Sequence, residues 1–489
     1  MESQLRIKTK CSREVDEGEE PVSPTGLYFN SKSMSVCILA ILEFAVPIDD
    51  LRVFPLLRDV FLSINPRFSS VMAYDSKRKR IWKKVEVNLE DHVKVPNFPE
   101  LSPLESNDEL FDEYLTKLST EALPEDIPLW EVHVIKYPTS KAAAQLIFKL
   151  HHALGDGYSL MAALLSCLQR ADNPSLPLTF PSTQSTKAAH NSSKMSLIDY
   201  IPRTLSVMYG ATFDFGWSIL KTAFISDEKT PVRSGNENLA FHPVKISTVI
   251  FPMDQLKLIK TRLDVTINAV ITGVVSLGVR LYMQSNGTEF GNSRSTVLVL
   301  LNTRNISGYM STQEMLKSDR KIWGNQFAFL HIALPNLTTN KILNPLDFVL
   351  EAQEKILRER NSPVVYLTGQ FLEMIRKYRG PEAAAEYVKG TCMKSSVGIT
   401  SLIGPVEQMA LDKHPVKGLY FMPIGVFQSL VVSVVSYMGT MRIGVGVEKG
   451  YIDAQKLITS LENAFELIFK AATKGMENSD DGNFGIKSK

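Results

Sequence analysis

Apolar residues along this chain fall into two patterns: continuous runs of strand length, and longer stretches in which they recur every three or four positions. Residues 36–46 form a run of the first kind and suit a buried strand. Asp50 then caps a helix whose Leu51, Phe54, Leu57, Val60, Phe61 and Ile64 share one broad face, and Pro66 ends it. Residues 80–87 read as a half-exposed strand, and Leu110, Phe111, Tyr114, Leu115 and Leu118 mark a second amphipathic helix. Pro128 opens a β-rich run to Ile135, whose natural partner is the apolar run at 142–150. That partner leads through His151-His152-Ala153-Leu154-Gly155-Asp156-Gly157 into a segment with apolar residues at 160, 161, 164, 165 and 168, a helical spacing. The stretch 151–157 is therefore a strand-to-helix turn, where a rigid scaffold can present a few polar side chains to a cavity.

Beyond it, residues 173–194 are dense in Pro, Ser and Thr, as in a crossover. The segment 197–225 is apolar but interrupted by Asp199, Arg203, Asp214 and Lys221. Each such charge costs about 2.5–3.5 kcal/mol at a bilayer centre, so an interfacial or interdomain amphipathic segment is expected rather than a spanning helix. The second half starts near residue 241. Asp254 can cap a short helix, a longer apolar helix covers 266–283, strands follow at 296–301 and 327–334, and helices at 346–360 and 364–378. Several β-rich runs fill 395–447, and a last helix covers 454–473. The resulting division is a polar tail (1–24), an N-terminal α/β half (25–172), a crossover (173–240), a C-terminal half (241–475) and a second polar tail (476–489).

Composition changes this picture little. With 489 residues, two domains of roughly 200 residues each are expected. A net charge of +2 argues against a nucleic-acid footprint and against a strong electrostatic membrane tether. Cys11, Cys37, Cys167 and Cys392 share no close spacing, which fits a reducing compartment, and the charged first twenty residues do not form a secretory signal.

The turn at 151–157 carries the candidate chemistry. Histidine, with an ordinary pKa of about 6.5, can take and return a proton near neutrality. Successive strand side chains face opposite ways, so His151 and His152 cannot both face one cavity. The same alternation disfavours a shared ion, and no metal site is expected. Asp156 can orient a histidine or pair with a distant Arg, and Gly155 and Gly157 let the turn bend sharply. Each histidine also has a plainer reading as a satisfied structural residue. No Gly-x-Ser-x-Gly, His-Glu-x-x-His or Gly-x-x-x-x-Gly-Lys pattern points to lipase, zinc protease or nucleotide chemistry.

His151-His152 followed by Asp156-Gly157 resembles the active-site motif of the chloramphenicol acetyltransferase-like acyltransferases. Pro128-Leu129-Trp130, Asn65-Pro66-Arg67-Phe68-Ser69-Ser70 and Gly324-Asn325 are similar to the plant-type bifunctional wax ester synthase/diacylglycerol acyltransferases, and the likeness runs over about residues 30–475. The resemblance implies an α/β fold of two chloramphenicol acetyltransferase-like subdomains with mixed sheets and a central tunnel. It implies an acyl-CoA-dependent O-acyltransferase that makes wax esters from long-chain alcohols, triacylglycerol from diacylglycerol, or both. His152 would be the general base, with His151, Asp156 and Gly157 supporting the turn. Related transferases pair the motif aspartate with an arginine from the other half, and Asn302-Thr303-Arg304 resembles its source, so an Asp156–Arg304 pair is expected. Thr400, Ser401, Asn268 and Asn325 are candidates for contact with substrate or oxyanion. The chain departs from many members at Asn268-Ala269, where they carry Asn-Asp, and at Ser401-Leu402, where they carry Ser-Asn. No cofactor is expected, since acyl-CoA is a substrate. The expected partners are acyl-CoA, a fatty alcohol or diacylglycerol, and a membrane contacted peripherally. The implied location is the cytosolic face of the endoplasmic reticulum, with the plasma membrane as the alternative. Two rivals stand beside this reading: an acyltransferase of the same fold for a small alcohol or phenolic acceptor, and a non-catalytic lipid-binding relative.

Overall fold

The computed structural model describes residues 20–98, 104–180, 226–304, 323–337, 344–360 and 364–474. Two mixed sheets, each with its own hydrophobic core, carry the structure. The first orders its strands as Gln169–Arg170, Met409–Leu411, His414–Ile424, Cys37–Phe44, Ala144–His151, Trp130–Ile135 and Val93–Lys94. Cys37–Phe44 and Ala144–His151 are buried along their whole length, which is why they read as unbroken apolar runs rather than as alternation. The second sheet runs Val244–Pro252, Thr440–Glu448, Leu430–Tyr437, Val397–Ile403, Thr296–Asn302, Phe327–Ala333. Val397–Ile403 pairs parallel with both its neighbours, and the other pairings are antiparallel.

The sheets do not follow the halves of the sequence. After Ile403 the chain leaves the second sheet and adds Met409–Leu411 and His414–Ile424 to the first, where the longer strand pairs with Cys37–Phe44. A buried ion pair crosses between the sheets nearby. Arg442 forks onto Glu43 at 2.5 and 2.9 Å, and both side chains are 7% exposed. The ladder is irregular between Val416 and Gly418, and a Cβ at Gly418 would collide with both partners of the pair.

Thr266 caps the helix Ile267–Ser285, the spine of the second core. Gly273 and Gly278 bring Val349 and Leu461 of two neighbouring helices against its backbone, so close that any Cβ would overlap them. This helix has the length and apolarity to cross a membrane, but most of it is buried inside the protein.

Several local expectations are corrected. Asp49, not Asp50, accepts the Leu51 amide at the first helix. A 3-10 turn and a π segment, Leu57–Phe61, then rotate the buried face, so Val53 packs inward while Leu51 is exposed. Asp254 does not cap Met253–Leu263, whose N-cap is Pro252; it lies in the first turn, where the helix dipole favours an acid. Residues 20–24 are not tail, because Glu20–Pro21 pairs with Trp82 and Ile81, and Ser23 caps Pro24–Phe29. The end of the crossover belongs to the second half: the Asp227 carboxylate accepts from the Thr296 amide, the Thr296 hydroxyl and the Ser396 hydroxyl. The helix Pro381–Lys394, unforeseen, starts at a Gly380-Pro381 break. The amphipathic expectation at 197–225 and both distal tails lie outside the described residues.

Candidate active site

The strand Ala144–His151 ends at the first histidine, and the helix Gly157–Ser166 begins after Asp156, so five residues reverse the chain. The two histidines face apart as strand alternation requires. The ring of His151 accepts the Ala153 amide on Nδ1 at 3.1 Å, which leaves the proton on Nε2 for Ser35 Oγ at 3.2 Å. Burial holds its pKa down to about 3, so it stays neutral. The ring of His152 lies between Phe29 and Phe327, at centroid distances of 4.3 and 5.7 Å. Its Nδ1 is enclosed without a hydrogen bond, and the residue lines the cavity. Burial also lowers the pKa of His152, opposed by the Asp156 charge, its own carbonyl and the Asn325 side chain. Both rings are therefore neutral near pH 7.

Asp156 is the organising residue of the turn. Its Oδ1 caps the following helix at the Ser159 amide, and its Oδ2 accepts the Gln326 amide at 2.9 Å. Arg304, from the end of Thr296–Asn302, forks onto both oxygens at 2.6 and 3.0 Å, with side chains 2% and 7% exposed. The same guanidinium donates to Gly324 O and packs over Tyr158. Trp323 and Arg67 both donate to Leu154 O. The turn is thus tied to the second half of the chain through Arg304, Trp323 and Gln326, and to its own half through Arg67.

A cavity of about 380 Å³ opens between the sheets beside His152. It exists because two strands part. Val297–Val299 pair with Val397–Ile399, but beyond Ile399 the neighbours separate, and Leu300, Leu301, Thr400, Ser401 and Leu402 line the gap. Its inner wall is apolar: Phe29, Val36, Phe327, Val388 and Phe427.

Among the sequence candidates, His152, Asp156, Gly157, Asn268, Arg304, Thr400 and Ser401 line this cavity. Asn325 does not; its Nδ2 donates to His152 O at 2.9 Å, so it holds the histidine from behind. Ala269 is buried in the second core rather than on the cavity wall, whereas Leu402 packs against the Cα of Gly157 and reshapes the site directly. Trp130 is a core residue whose Nε1 donates to Phe68 O. Phe29 was missed, although Ser23-Pro24 ahead of it is a helix-start signal.

Comparison with known proteins identifies the family. The family profile described as the wax ester synthase/diacylglycerol acyltransferase catalytic domain matches residues 63–271, and that of the WS/DGAT C-terminal domain matches 323–469. The first contains the His152 turn and the second contains Asn325, Thr400 and Ser401. "Wax ester synthase/diacylglycerol acyltransferase 7" of Arabidopsis thaliana is 27% identical over 471 residues, covering 92% of this chain and 96% of its own. The solved wax ester synthase/diacylglycerol acyltransferase of Marinobacter aquaeolei VT8 superposes with a TM-score of 0.57 at 14% identity, covering 92% and 99%. The starter condensation domain of rhizomide synthetase RzmA has the same fold, with a TM-score of 0.51 at 11% identity, covering 93% and 90%. With both profiles matched over most of its length and the motif turn intact, the chain belongs to the wax ester synthase/diacylglycerol acyltransferase family, a family of acyltransferases.

Proposed function

We propose that this protein moves a long-chain acyl group from acyl-CoA to the hydroxyl of a fatty alcohol, of diacylglycerol, or of both, with His152 as general base. The observation that carries the reading is a neutral histidine buried in the wall of a largely apolar cavity. The acceptor O–H gives its proton to Nε2 as the oxygen bonds to the thioester carbonyl carbon. The tetrahedral intermediate then breaks its C–S bond, and the imidazolium returns the proton to the CoA thiolate. Holding both substrates beside one base supplies proximity, so no acyl-enzyme is required. The Thr400 hydroxyl, on the same strand face as Leu402, which meets Gly157, is assigned to the developing oxyanion. Asp156, Arg304 and Asn325 position the base and touch no reacting atom.

Because these substrates are lipids, the proposed location is a membrane surface, the cytosolic face of the endoplasmic reticulum, with the plasma membrane as the alternative. The test is product analysis with hexadecanol, diacylglycerol and a phenolic alcohol, each offered palmitoyl-CoA and acetyl-CoA. Hexadecyl palmitate or triacylglycerol is expected. Product from acetyl-CoA and the phenolic alone would make it a small-acceptor enzyme, and no ester from any pair would make it a lipid binder.

A further inference from the structure

The hairpin formed by Ser70–Tyr74 and Arg80–Lys84 lies outside both main sheets. Six of the ten residues from 75 to 84 are Lys or Arg, in a chain whose net charge is only +2. Lys77, Arg78, Lys79, Lys83 and Lys84 are exposed, and none has an ion-pair partner among the described residues. Asp75, the acid of the turn, is already engaged: its Oδ1 accepts the Lys77 and Lys79 amides at 2.8 and 2.7 Å. A chain-wide charge near neutrality thus conceals a local concentration of cations.

The backbone of the turn supplies a second observation. Arg78 N donates to Asp75 O and Asp75 N to Lys79 O, closing a tight turn whose last residue is left-handed. Glycine or asparagine is the usual occupant of such a position, since a Cβ is strained there. Here it is Arg78, with φ at 58°. A charged side chain held where glycine is favoured points to a use for that charge. Beside it, Tyr74 is 66% exposed, with the Arg80 guanidinium 5.4 Å from its ring. The hairpin also adjoins the cavity: Arg80 Nη1 donates to Asn30 O, and the preceding Phe29 lines the wall next to His152.

We propose that the 70–84 hairpin docks the protein on an anionic phospholipid bilayer, with Lys77, Arg78 and Lys79 at the headgroup phosphates and Tyr74 in the interface. An exposed aromatic beside clustered cations suits the headgroup region. The choice of a lipid surface over another polyanion rests on the acyl-transfer reading, whose acceptors dissolve in membranes.

The test is co-sedimentation of the full chain with vesicles of phosphatidylcholine, with and without phosphatidylserine. Wild type is expected to bind the anionic vesicles and to be released by salt. Combining Lys77→Ser, Arg78→Gly and Lys79→Ser should weaken that binding by about 100-fold. The unfolding temperature should stay the same or rise, because glycine suits position 78. Esterification of a water-soluble short-chain alcohol should be unchanged, which separates docking from chemistry: absence of esterification in both proteins would count against acyl transfer, not against docking. Four results would overturn the proposal: equal binding to neutral vesicles, unimpaired binding by the variant, tighter retention on single-stranded RNA at the same salt, or vesicle binding only after removal of residues 1–19. In the last case the acidic stretch Glu14, Asp16, Glu17 and Glu19 would be the hairpin's own partner.

Discussion

Two buried arginine–carboxylate pairs cross between the halves of this molecule, alike in chemistry and unlike in what they hold. Arg304–Asp156 and Arg442–Glu43 are both two-point forks with both side chains almost fully enclosed. Around Asp156 the carboxylate also caps a helix and accepts the Gln326 amide, and the adjoining turn carries His152. Around Glu43 the neighbours are Tyr420, Thr248 and a glycine that makes room, and neither partner lines the cavity. A buried ion pair therefore reveals its role through its other contacts. The first positions the turn that carries His152, and the second registers two sheets.

The sharpest way to break this comparison is to remove one arginine from each pair. Arg304→Ala and Arg442→Ala each strand a buried carboxylate, so each should lose about 3–5 kcal/mol of stability in urea unfolding. Only Arg304→Ala should also cut kcat of the folded protein, by at least about 100-fold, while Arg442→Ala stays within about threefold. Equal loss of kcat in both would end the distinction.

Acid sensitivity should belong to the turn at 151–157 as well. His151 is neutral in the fold down to about pH 3 but binds a proton near 6.5 when unfolded. The unfolded chain thus holds the extra proton between these values, and stability falls as pH falls through that window. From pH 6.5 to 5 the loss is about 2 kcal/mol from this residue, measured as a shift in urea midpoint. His151→Gln should abolish that share, and Arg442→Ala should leave it intact. Catalysis, which needs neutral His152, should persist to lower pH than an ordinary histidine with a pKa of about 6.5 would allow, because burial lowers the pKa of that group too.

Smaller effects refine the contrast. Arg304→Lys keeps the charge but not the fork, and should reduce kcat about tenfold. Full activity and stability in that variant would remove the Asp156–Arg304 pair from the mechanism. Replacing both partners at the remote site, Glu43→Leu with Arg442→Met, should shift stability by only about 1–2 kcal/mol in either direction, since no charge is left behind.

The turn, its flanking strand pair and the distant Arg304 were all legible in the sequence, because each rests on local patterning or on a motif. The exchange of 404–424 into the first sheet was not. A buried apolar run declares a strand but not its neighbour, and nothing in Leu419, Phe421 or Met422 names Cys37–Phe44 as the partner. The Glu43–Arg442 pair was hidden for the same reason, being set by sheet packing across almost the whole chain. Asn325 was found as a residue but not as a role, because only coordinates show that its amide is spent on His152 O. Net charge misled in a similar way, since a sum cannot show six cations gathered on one hairpin.

The central claim, that His152 is the base, is tested most directly by the rate of hexadecyl palmitate formation by His152→Ala, compared with wild type at matched folded concentration. A loss of about 1,000-fold, with acyl-chain binding retained, is predicted. A rate within tenfold of wild type would contradict it.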